Sequence, residues 1–178
     1  MKYALSFLLT MALALPCVAQ EETKSETGAL EILKSLVGVW DAEMEVWPRG
    51  PDKASMKLKG VETNKAYGKH WLTSDFSSKA MGPAANLHSI VGYDLDKKQM
   101  VAMSVDSGPY PAKMTGEIDV KKKSVTWTAH IKDAAGNKKI QKSTDTLINE
   151  NERIMIVKAQ QNGKFVKIVQ IKFTKRKK

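Results

Sequence analysis

Short segments in which apolar and polar residues alternate recur along the chain, and their even spacing constrains the fold more than any other feature. The clearest of them is segment 40–46. Its apolar positions are Trp40, Ala42, Met44 and Val46, and its acidic positions are Asp41, Glu43 and Glu45. A period of two is that of a β-strand with one face in a core and the other in water. Similar segments follow at short intervals, separated by tight turns, and predict about ten strands.

The connections between these segments indicate how the strands are arranged. Helical periodicity occurs once, over Gly28 to Val37, so the short links must join antiparallel neighbours. About ten strands are more than one twisted sheet holds without curling or closing, and closure removes exposed strand edges. The sequence therefore predicts an all-β fold, an antiparallel meander forming a closed or nearly closed barrel with one short N-terminal helix. In such a barrel the acidic face of segment 40–46 lies near the basic last strand, 165–174.

The N-terminus has the features of a cleavable secretory signal. Lys2 precedes a largely apolar run over residues 4–15, and the small residues Cys17 and Ala19 follow it. The run is shorter than the roughly 20 residues that cross a bilayer as a helix, so no transmembrane segment is predicted. We predict cleavage after Ala19 and a periplasmic or secreted bacterial protein. A lipid anchor on Cys17 is the alternative, which the preceding proline disfavours.

Cleavage at this point defines the remaining organisation of the chain. Residues 1–19 form the signal peptide, residues 20–27 a flexible leader, and residues 28–178 a single domain. Cys17 is the only cysteine, so the mature protein has no disulfide, no thiol nucleophile and no zinc–thiolate site. The stability of the domain must then come from an apolar core.

The chain is basic, with a formal net charge of +10. Such a charge favours contact with anionic surfaces. The lysines are scattered over many strands, however, and arginine does not alternate with aromatic residues as in nucleic-acid grooves. We therefore predict weak contact with anionic surfaces at most, and no specific nucleic-acid site. The oligomeric state is not determined by the sequence.

A helical turn followed by Gly38-x-Trp40 at the first strand resembles the calycin barrels, which include lipocalins, fatty-acid-binding proteins and nitrobindin-like proteins. More specifically, several segments resemble an uncharacterised bacterial family, domain of unknown function family 1579. These segments are Leu33-x-x-Leu36-x-Gly38-x-Trp40, Gly92-Tyr93-Asp94 with Lys98, Val105-Asp106-Ser107, Gly163-Lys164 and Phe173-Thr174-Lys175-Arg176. The chain departs from the family pattern at Ser104, where a large aromatic residue is expected.

The resemblance covers essentially the whole mature chain, and it implies a fold without an established chemistry. It assigns structural roles to Gly38 and Trp40. The ring of Trp40 is expected to seal the barrel end against Leu33 and Leu36. A nitrobindin-like barrel also implies haem as a further ligand class, for which His88 or His130 would supply the axial ligand.

Motifs of catalysis and metal binding do not occur in the sequence. The three histidines lie on separate predicted strands without metal-ligand spacing, so no metal site is predicted. The sequence has no Gly-x-Ser-x-Gly elbow, no phosphate-binding glycine-rich loop and no His-Glu-x-x-His helix. We therefore assign no catalytic residue.

A ligand site inside the barrel is the leading functional hypothesis, with Met44, Asp106 and Trp127 as lining residues and Tyr93 and His88 beside them. Barrels of this size enclose one small molecule, so we expect non-catalytic binding of a small, largely apolar ligand. One alternative is an enzyme that uses the same cavity, of isomerase or lyase type. Another is a cell-envelope protein whose basic surface contacts an anionic polymer.

The sequence allows two interpretations of Asp106. It lies at a rim of the cavity, or it binds the backbone of the turn that follows it. The two faces of segment 100–106 are almost equally apolar, so the sequence does not decide which face is interior.

Overall fold

The computed structural model describes residues 16–78, 86–132, 135–161 and 163–177, with side chains described from residue 25 onward. One helix precedes ten strands. Helix α1 spans Pro16–Leu36, and the strands are β1 Gly38–Val46, β2 Met56–Tyr67, β3 Trp71–Ser77, β4 Leu87–Asp94, β5 Gln99–Val105, β6 Ala112–Asp119, β7 Ser124–Lys132, β8 Lys138–Asn149, β9 Glu152–Gln161 and β10 Lys164–Lys175.

The ten strands form a closed antiparallel barrel. Each strand pairs with its neighbours in sequence, and β1 also pairs with β10 to complete the ring. The predicted all-β meander and its closure are therefore confirmed. Among the described residues, closure gives each of the ten strands a paired neighbour on both sides, which limits the exposed edges through which sheets aggregate.

The helix is longer than the sequence pattern indicated. It begins at Pro16, so it includes residues 20–27, for which a flexible leader was predicted. These residues contain glutamate, lysine and threonine without proline, so nothing in them stops a helix that continues into the apolar turns after Gly28. The predicted signal peptide lies mostly in residues 1–15, outside the described residues. Within the described part of the chain, no helix is long and apolar enough to cross a membrane.

Helix α1 closes one end of the barrel. Its buried side chains Ala29, Ile32 and Leu33 pack with apolar residues from the strands in one core cluster, which we call the helix cluster. The strand residues in this cluster are Leu72, Tyr93, Met100, Ala102, Val125 and Trp127. α1 leads directly into β1, so β1 starts at this end of the barrel, which we call the helix end. Because the strands alternate in direction, the helix end also has the turns β2–β3, β4–β5, β6–β7 and β8–β9. The loops β1–β2, β3–β4, β5–β6, β7–β8 and β9–β10 lie at the opposite end, which we call the loop end.

Trp40 belongs to a second core cluster, which lies across the β1–β10 pair and includes Ala42 and Phe173. We call it the Trp40 cluster. The ring of Trp40 is fully buried. The expected packing against Leu33 is therefore wrong, since Leu33 lies in the helix cluster. Trp40 still joins the barrel to the helix, because its indole N–H donates a hydrogen bond to the carbonyl oxygen of Leu36 at 2.8 Å.

Gly38 makes the sharp transition from helix to barrel. Its φ of +132° is in a region that L side chains rarely adopt. A Cβ atom there would also lie 2.8 Å from Cε of Lys175. Both observations support the structural role that the sequence assigned to Gly38.

The β1–β10 seam brings the acidic face of β1 against basic residues, as expected for a closed barrel. Glu43 lies opposite Lys172 on β10 and opposite Lys59 on β2. Asp41 accepts a hydrogen bond from Nη2 of Arg176 at 2.6 Å. This side-chain hydrogen bond lowers the pKa of Asp41.

Reversing the acidic charges of β1 should weaken this seam. In a Glu43→Lys/Glu45→Lys variant, lysines would face Lys172, Lys59 and Lys57, and each like-charged pair should cost roughly 0.2–1 kcal/mol. Urea unfolding at low and high salt measures the loss, which should shrink at high salt because exposed charges are screened. The matched control is Glu117→Lys, whose partner on β7 is the neutral Thr126. Equal effects of the two changes would contradict the electrostatic account of the seam.

Candidate ligand-binding cavity

Inward-facing side chains from all ten strands line a cavity of about 590 Å³ inside the barrel. The alternation of each strand produces this lining, because every second residue points to the interior. Most of the wall is apolar. Its larger side chains include Met44, Phe76, Val91, Met114, Trp127, Met155, Val157 and Ile171. A cavity of this size is in the range that holds a small organic ligand.

The structure decides which face of β5 is interior. Met100, Ala102 and Ser104 are buried and line the cavity. Met103 and Val105 lie on the outer face with about two fifths of their surface exposed, at 43% and 44%. Ser104, the departure from the family pattern, forms a 2.7 Å hydrogen bond with the hydroxyl of Ser89. A small polar pair therefore forms this part of the cavity wall, where a large ring was expected.

Asp106 continues the interior face of β5 into the loop end, where it lines the cavity together with Tyr110. Its Oδ1 accepts a hydrogen bond from the backbone N–H of Gly108 at 2.6 Å. Both interpretations of Asp106 thus hold in the structure, since the residue binds the turn and also lies on the cavity rim.

The five predicted ligand-binding residues fall into two groups. Met44, Asp106 and Trp127 line the cavity. Tyr93 is only 3% exposed and packs in the helix cluster outside the cavity lining. His88 lies on the outer face of the barrel, where its Nδ1 is 2.6 Å from Oδ1 of Asp75. The structure therefore brings three of the five residues together.

The histidines do not fit a haem group inside the barrel. His88 and His130 are exposed, His70 lies at the helix end beside Glu26, and none of the three lines the cavity. A haem in the cavity would find no imidazole for its iron. No group of three His, Cys, Asp or Glu residues in the described part of the chain is placed to hold a metal ion.

Three charged residues lie together on the cavity lining towards the helix end, and we call them the floor triad: Glu62, Asp145 and Arg153. Arg153 is 1% exposed. Its Nη1 donates to Oδ2 of Asp145 at 2.5 Å, and its Nη2 donates to Oε1 of Glu62. One guanidinium thus binds two carboxylates from different strands.

The guanidinium of Arg153 also contacts aromatic rings. Its Cζ lies 3.6 Å from the centroid of the Phe173 ring and 5.2 Å from that of Trp40. Cation–π attraction of this kind is strongest where water is excluded. The floor triad and the Trp40 cluster therefore form one packed unit at the base of the cavity.

Burial changes the ionisation of the floor triad. Desolvation raises the pKa of Asp145, and the nearby charge of Glu62 acts in the same direction, while Arg153 opposes them. For Arg153, desolvation lowers the pKa, but the charges of Asp145 and Glu62 outweigh it and the pKa is raised. The guanidinium therefore stays charged, and burial favours the protonated form of the Asp145 carboxyl group.

Asn64 extends this network on the cavity lining. Its Nδ2 donates to Oε1 of Glu62 at 2.6 Å and to the carbonyl oxygen of Leu36 at 3.0 Å. Three buried atoms of the network have no hydrogen-bond partner among the described residues: Asn64 Oδ1, Asp145 Oδ1 and Arg153 Nε. The floor thus contains unused hydrogen-bonding capacity.

Sequence reasoning missed the floor triad, although the strands contain a signal for it. Glu62 is in phase with the interior positions Leu58 and Asn64 of β2, and Asp145 is in phase with Leu147 of β8. Arg153 likewise shares the interior face of β9 with Met155. A charged residue in phase with an apolar strand face is the pattern that predicts a buried ion pair.

Comparison with family models gives a match over residues 26–175 to the family described as "Protein of unknown function (DUF1579)". The match includes the barrel and most of the described helix. The chain belongs to the DUF1579 family. This confirms the family that the sequence motifs resembled. A comparison of this DUF1579 protein with curated proteins finds no match.

Solved structures with a similar fold include two that extend over nearly the whole barrel. Rv2717c from M. tuberculosis matches with a TM-score of 0.63 and 10% identity, over 84% of this chain and 98% of that chain. The S-type phycobiliprotein lyase CPES from Guillardia theta matches with a TM-score of 0.53 and 10% identity, over 92% of this chain and 99% of that chain. At such low identity, these likenesses show that the DUF1579 barrel shares their fold, and nothing about its chemistry.

Proposed function

We propose that this DUF1579 protein binds a small, largely apolar molecule inside its barrel without chemically changing it. The observation that carries the proposal is the cavity of about 590 Å³, enclosed by ten strands and lined mainly by apolar side chains. Met44 and Trp127 would contact the body of the ligand, and Asp106 would contact it at the rim. The lyase name of one structural neighbour is consistent with a barrel that accepts a small molecule.

The combination of apolar walls with a few polar groups supports the binding of a small, largely apolar molecule. Apolar walls provide affinity through removal of apolar surface from water, and a few polar groups fix orientation. In this cavity the floor triad and the Ser89–Ser104 pair provide polar groups inside, and Asp106, Lys132 and Gln141 provide others towards the loop end. A ligand that entered from the loop end would pass these rim residues first, then the apolar wall, and would meet the triad last.

The proposal includes export, with the signal peptide 1–19 removed and the barrel acting outside the cytoplasm. It rests on the basic start, the apolar run and the small residues before Gln20. Mass spectrometry of the protein recovered from the periplasm or medium would show this processing, and a retained Met1 would contradict it.

Titration with N-phenyl-1-naphthylamine, a neutral apolar fluorophore, should show saturable binding to the barrel. The matched variants are Ala129→Phe, which places a ring in the cavity, and Thr128→Phe, which places one on the outer face of the same strand. Filling the cavity should weaken the apparent affinity by about tenfold, or about 1.4 kcal/mol. The outer-face variant should bind the probe as the natural protein does.

The absence of saturable binding would contradict the proposal for neutral apolar ligands. Equal loss in both variants would also contradict it, because it would place the probe outside the cavity. Thermal unfolding of each variant is the control that separates a blocked cavity from a damaged fold.

Catalysis in the same cavity is the second candidate, and the observation that favours it is Asp145. A buried carboxyl group with a raised pKa on a cavity wall is the kind of group that serves as a general acid. The two candidates differ in what is recovered after incubation. A binding protein returns its ligand with unchanged mass and connectivity, and an isomerase or lyase does not.

A further inference from the structure

The floor of the cavity contains hydrogen-bond acceptors to which no donor among the described residues is bonded. Asp145 Oδ1 and Asn64 Oδ1 are both buried without a partner among the described residues, and both residues line the cavity. We propose that the floor binds the ammonium group, or a similar cationic N–H donor, of an otherwise apolar molecule. The natural ligand class would then be an amphipathic amine. This inference rests on the proposed ligand-binding function and specifies the ligand's polar group.

The orientation of the Asn64 amide is determined by its neighbours. Its Nδ2 faces two acceptors, the carboxylate of Glu62 and the carbonyl oxygen of Leu36. A flipped amide would place its oxygen against both of them, without any donor between. The unpartnered atom of Asn64 is therefore an acceptor. Asn64 is 3% exposed, so bulk water does not readily satisfy it.

Arg153 is not available to an anionic ligand. Its Nη1 and Nη2 already donate to Asp145 and Glu62, and its guanidinium is covered by the Phe173 ring. Only Nε remains without a partner. A ligand carboxylate that approached Nε would also approach two protein carboxylates. The floor triad contains one cation and two carboxylates, so its fully ionised form has an excess negative charge that favours a cation.

Ionisation of the triad predicts how binding depends on pH. Burial raises the pKa of Asp145, and the titratable groups that face it in the floor are Glu62 and Arg153. An ammonium group beside Asp145 would favour the ionised carboxylate, so binding of the amine would displace the proton of Asp145. Amine affinity should therefore increase as the pH rises through the pKa of Asp145, and decrease below it.

Competition against bound N-phenyl-1-naphthylamine tests the inference with three ligands of equal chain length: decylamine, decanol and decanoate. Decylamine should displace the probe at a concentration roughly tenfold lower than decanoate, the ratio expected of one charge-assisted hydrogen bond. The exterior of the protein cannot produce this preference, because a net charge of +10 attracts decanoate.

Asp145→Asn tests the residue directly, since it keeps the shape of the side chain and removes its charge. It should abolish the preference for decylamine over decanoate. Asp75→Asn is the matched control, because it removes the same charge from an exposed position on the outer face and should leave the preference unchanged. If Asp145→Asn does not fold, the preference of the natural protein for decylamine over decanol, which does not ionise, provides the second test when it is measured over a range of pH.

Each outcome decides between specific possibilities. A preference for decylamine over decanoate that is lost in Asp145→Asn, together with a preference for decylamine over decanol that increases with pH, supports the inference. Saturable binding of the fluorophore with decanoate equal to or better than decylamine overturns the inference and leaves the proposed binding function intact. If the fluorophore does not bind, calorimetric titration with the three ligands replaces the competition, and failure of all three to bind then overturns both.

Discussion

Replacing Trp40 with alanine should destabilise the protein by about 3–5 kcal/mol, a large part of the roughly 5–15 kcal/mol that holds a domain of this size folded. The indole is fully buried between Ala42 and Phe173, and the change would leave a cavity at the β1–β10 seam. It would also remove the hydrogen bond to Leu36, which connects the helix to the barrel. Urea unfolding followed by circular dichroism measures the loss.

Two variants make this prediction specific. Trp40→Phe keeps a large ring and removes only the indole N–H, so it should cost much less than the alanine change. Trp71→Ala removes a tryptophan of which 37% is exposed, on the outer face of β3, and should have a small effect. A Trp40→Ala protein as stable as Trp71→Ala would contradict the buried position of the Trp40 ring.

Replacing Arg153 with methionine should be equally damaging at neutral pH, at about 3–5 kcal/mol, because it leaves two buried carboxylates without their cation. The side chains of Glu62 and Asp145 are each only 12% exposed, so water does not replace the guanidinium. The triple variant Arg153→Met/Glu62→Gln/Asp145→Asn removes all three charges and should recover much of the stability. Chemical unfolding of the two variants measures both effects.

The loss caused by Arg153→Met should depend on pH with a definite sign. Without the guanidinium, desolvation and the charge of Glu62 keep the pKa of Asp145 above its ordinary value of 3.8, with no cation to oppose them. A carboxyl group with a raised folded pKa destabilises the protein above its unfolded pKa and has no effect below it. The difference from the natural protein should therefore shrink as the pH falls from 7 towards about 4. A loss that is independent of pH would indicate packing alone.

The pairing of β1 with β10 shows which features of the fold could be predicted from the sequence pattern. The prediction that β1 meets β10 followed from the number of strands, which favours closure. The expected approach of opposite charges is confirmed by the register, which places Glu43 opposite Lys172. Gly38 and the turn residues could also be interpreted from the sequence, because backbone geometry at a turn depends on adjacent residues. The packing partners of Trp40 could not be predicted in this way, because tertiary packing decides which core residues surround the ring.

The candidate site was only partly predictable, for a related reason. Met44 and Trp127 were identified because they lie on strand faces with an unambiguous alternation. His88 was assigned to the wrong side of the barrel, since the β4 segment contains polar residues on both faces. The β5 segment has two apolar faces, so the sequence did not decide which face forms the wall of the cavity.

The sequence by itself determined the fold class and the strand order of this DUF1579 protein, because alternation and turn signals are local properties of each segment. Its short motifs indicated the family by resemblance. Only the tertiary structure brought Glu62, Asp145 and Arg153 together, with Glu62 and Arg153 separated by 91 positions in the chain. Each of these residues is merely a charged residue on an apolar strand face when considered alone. Closure of the barrel places the three faces at one depth, where burial makes each charge dependent on the other two.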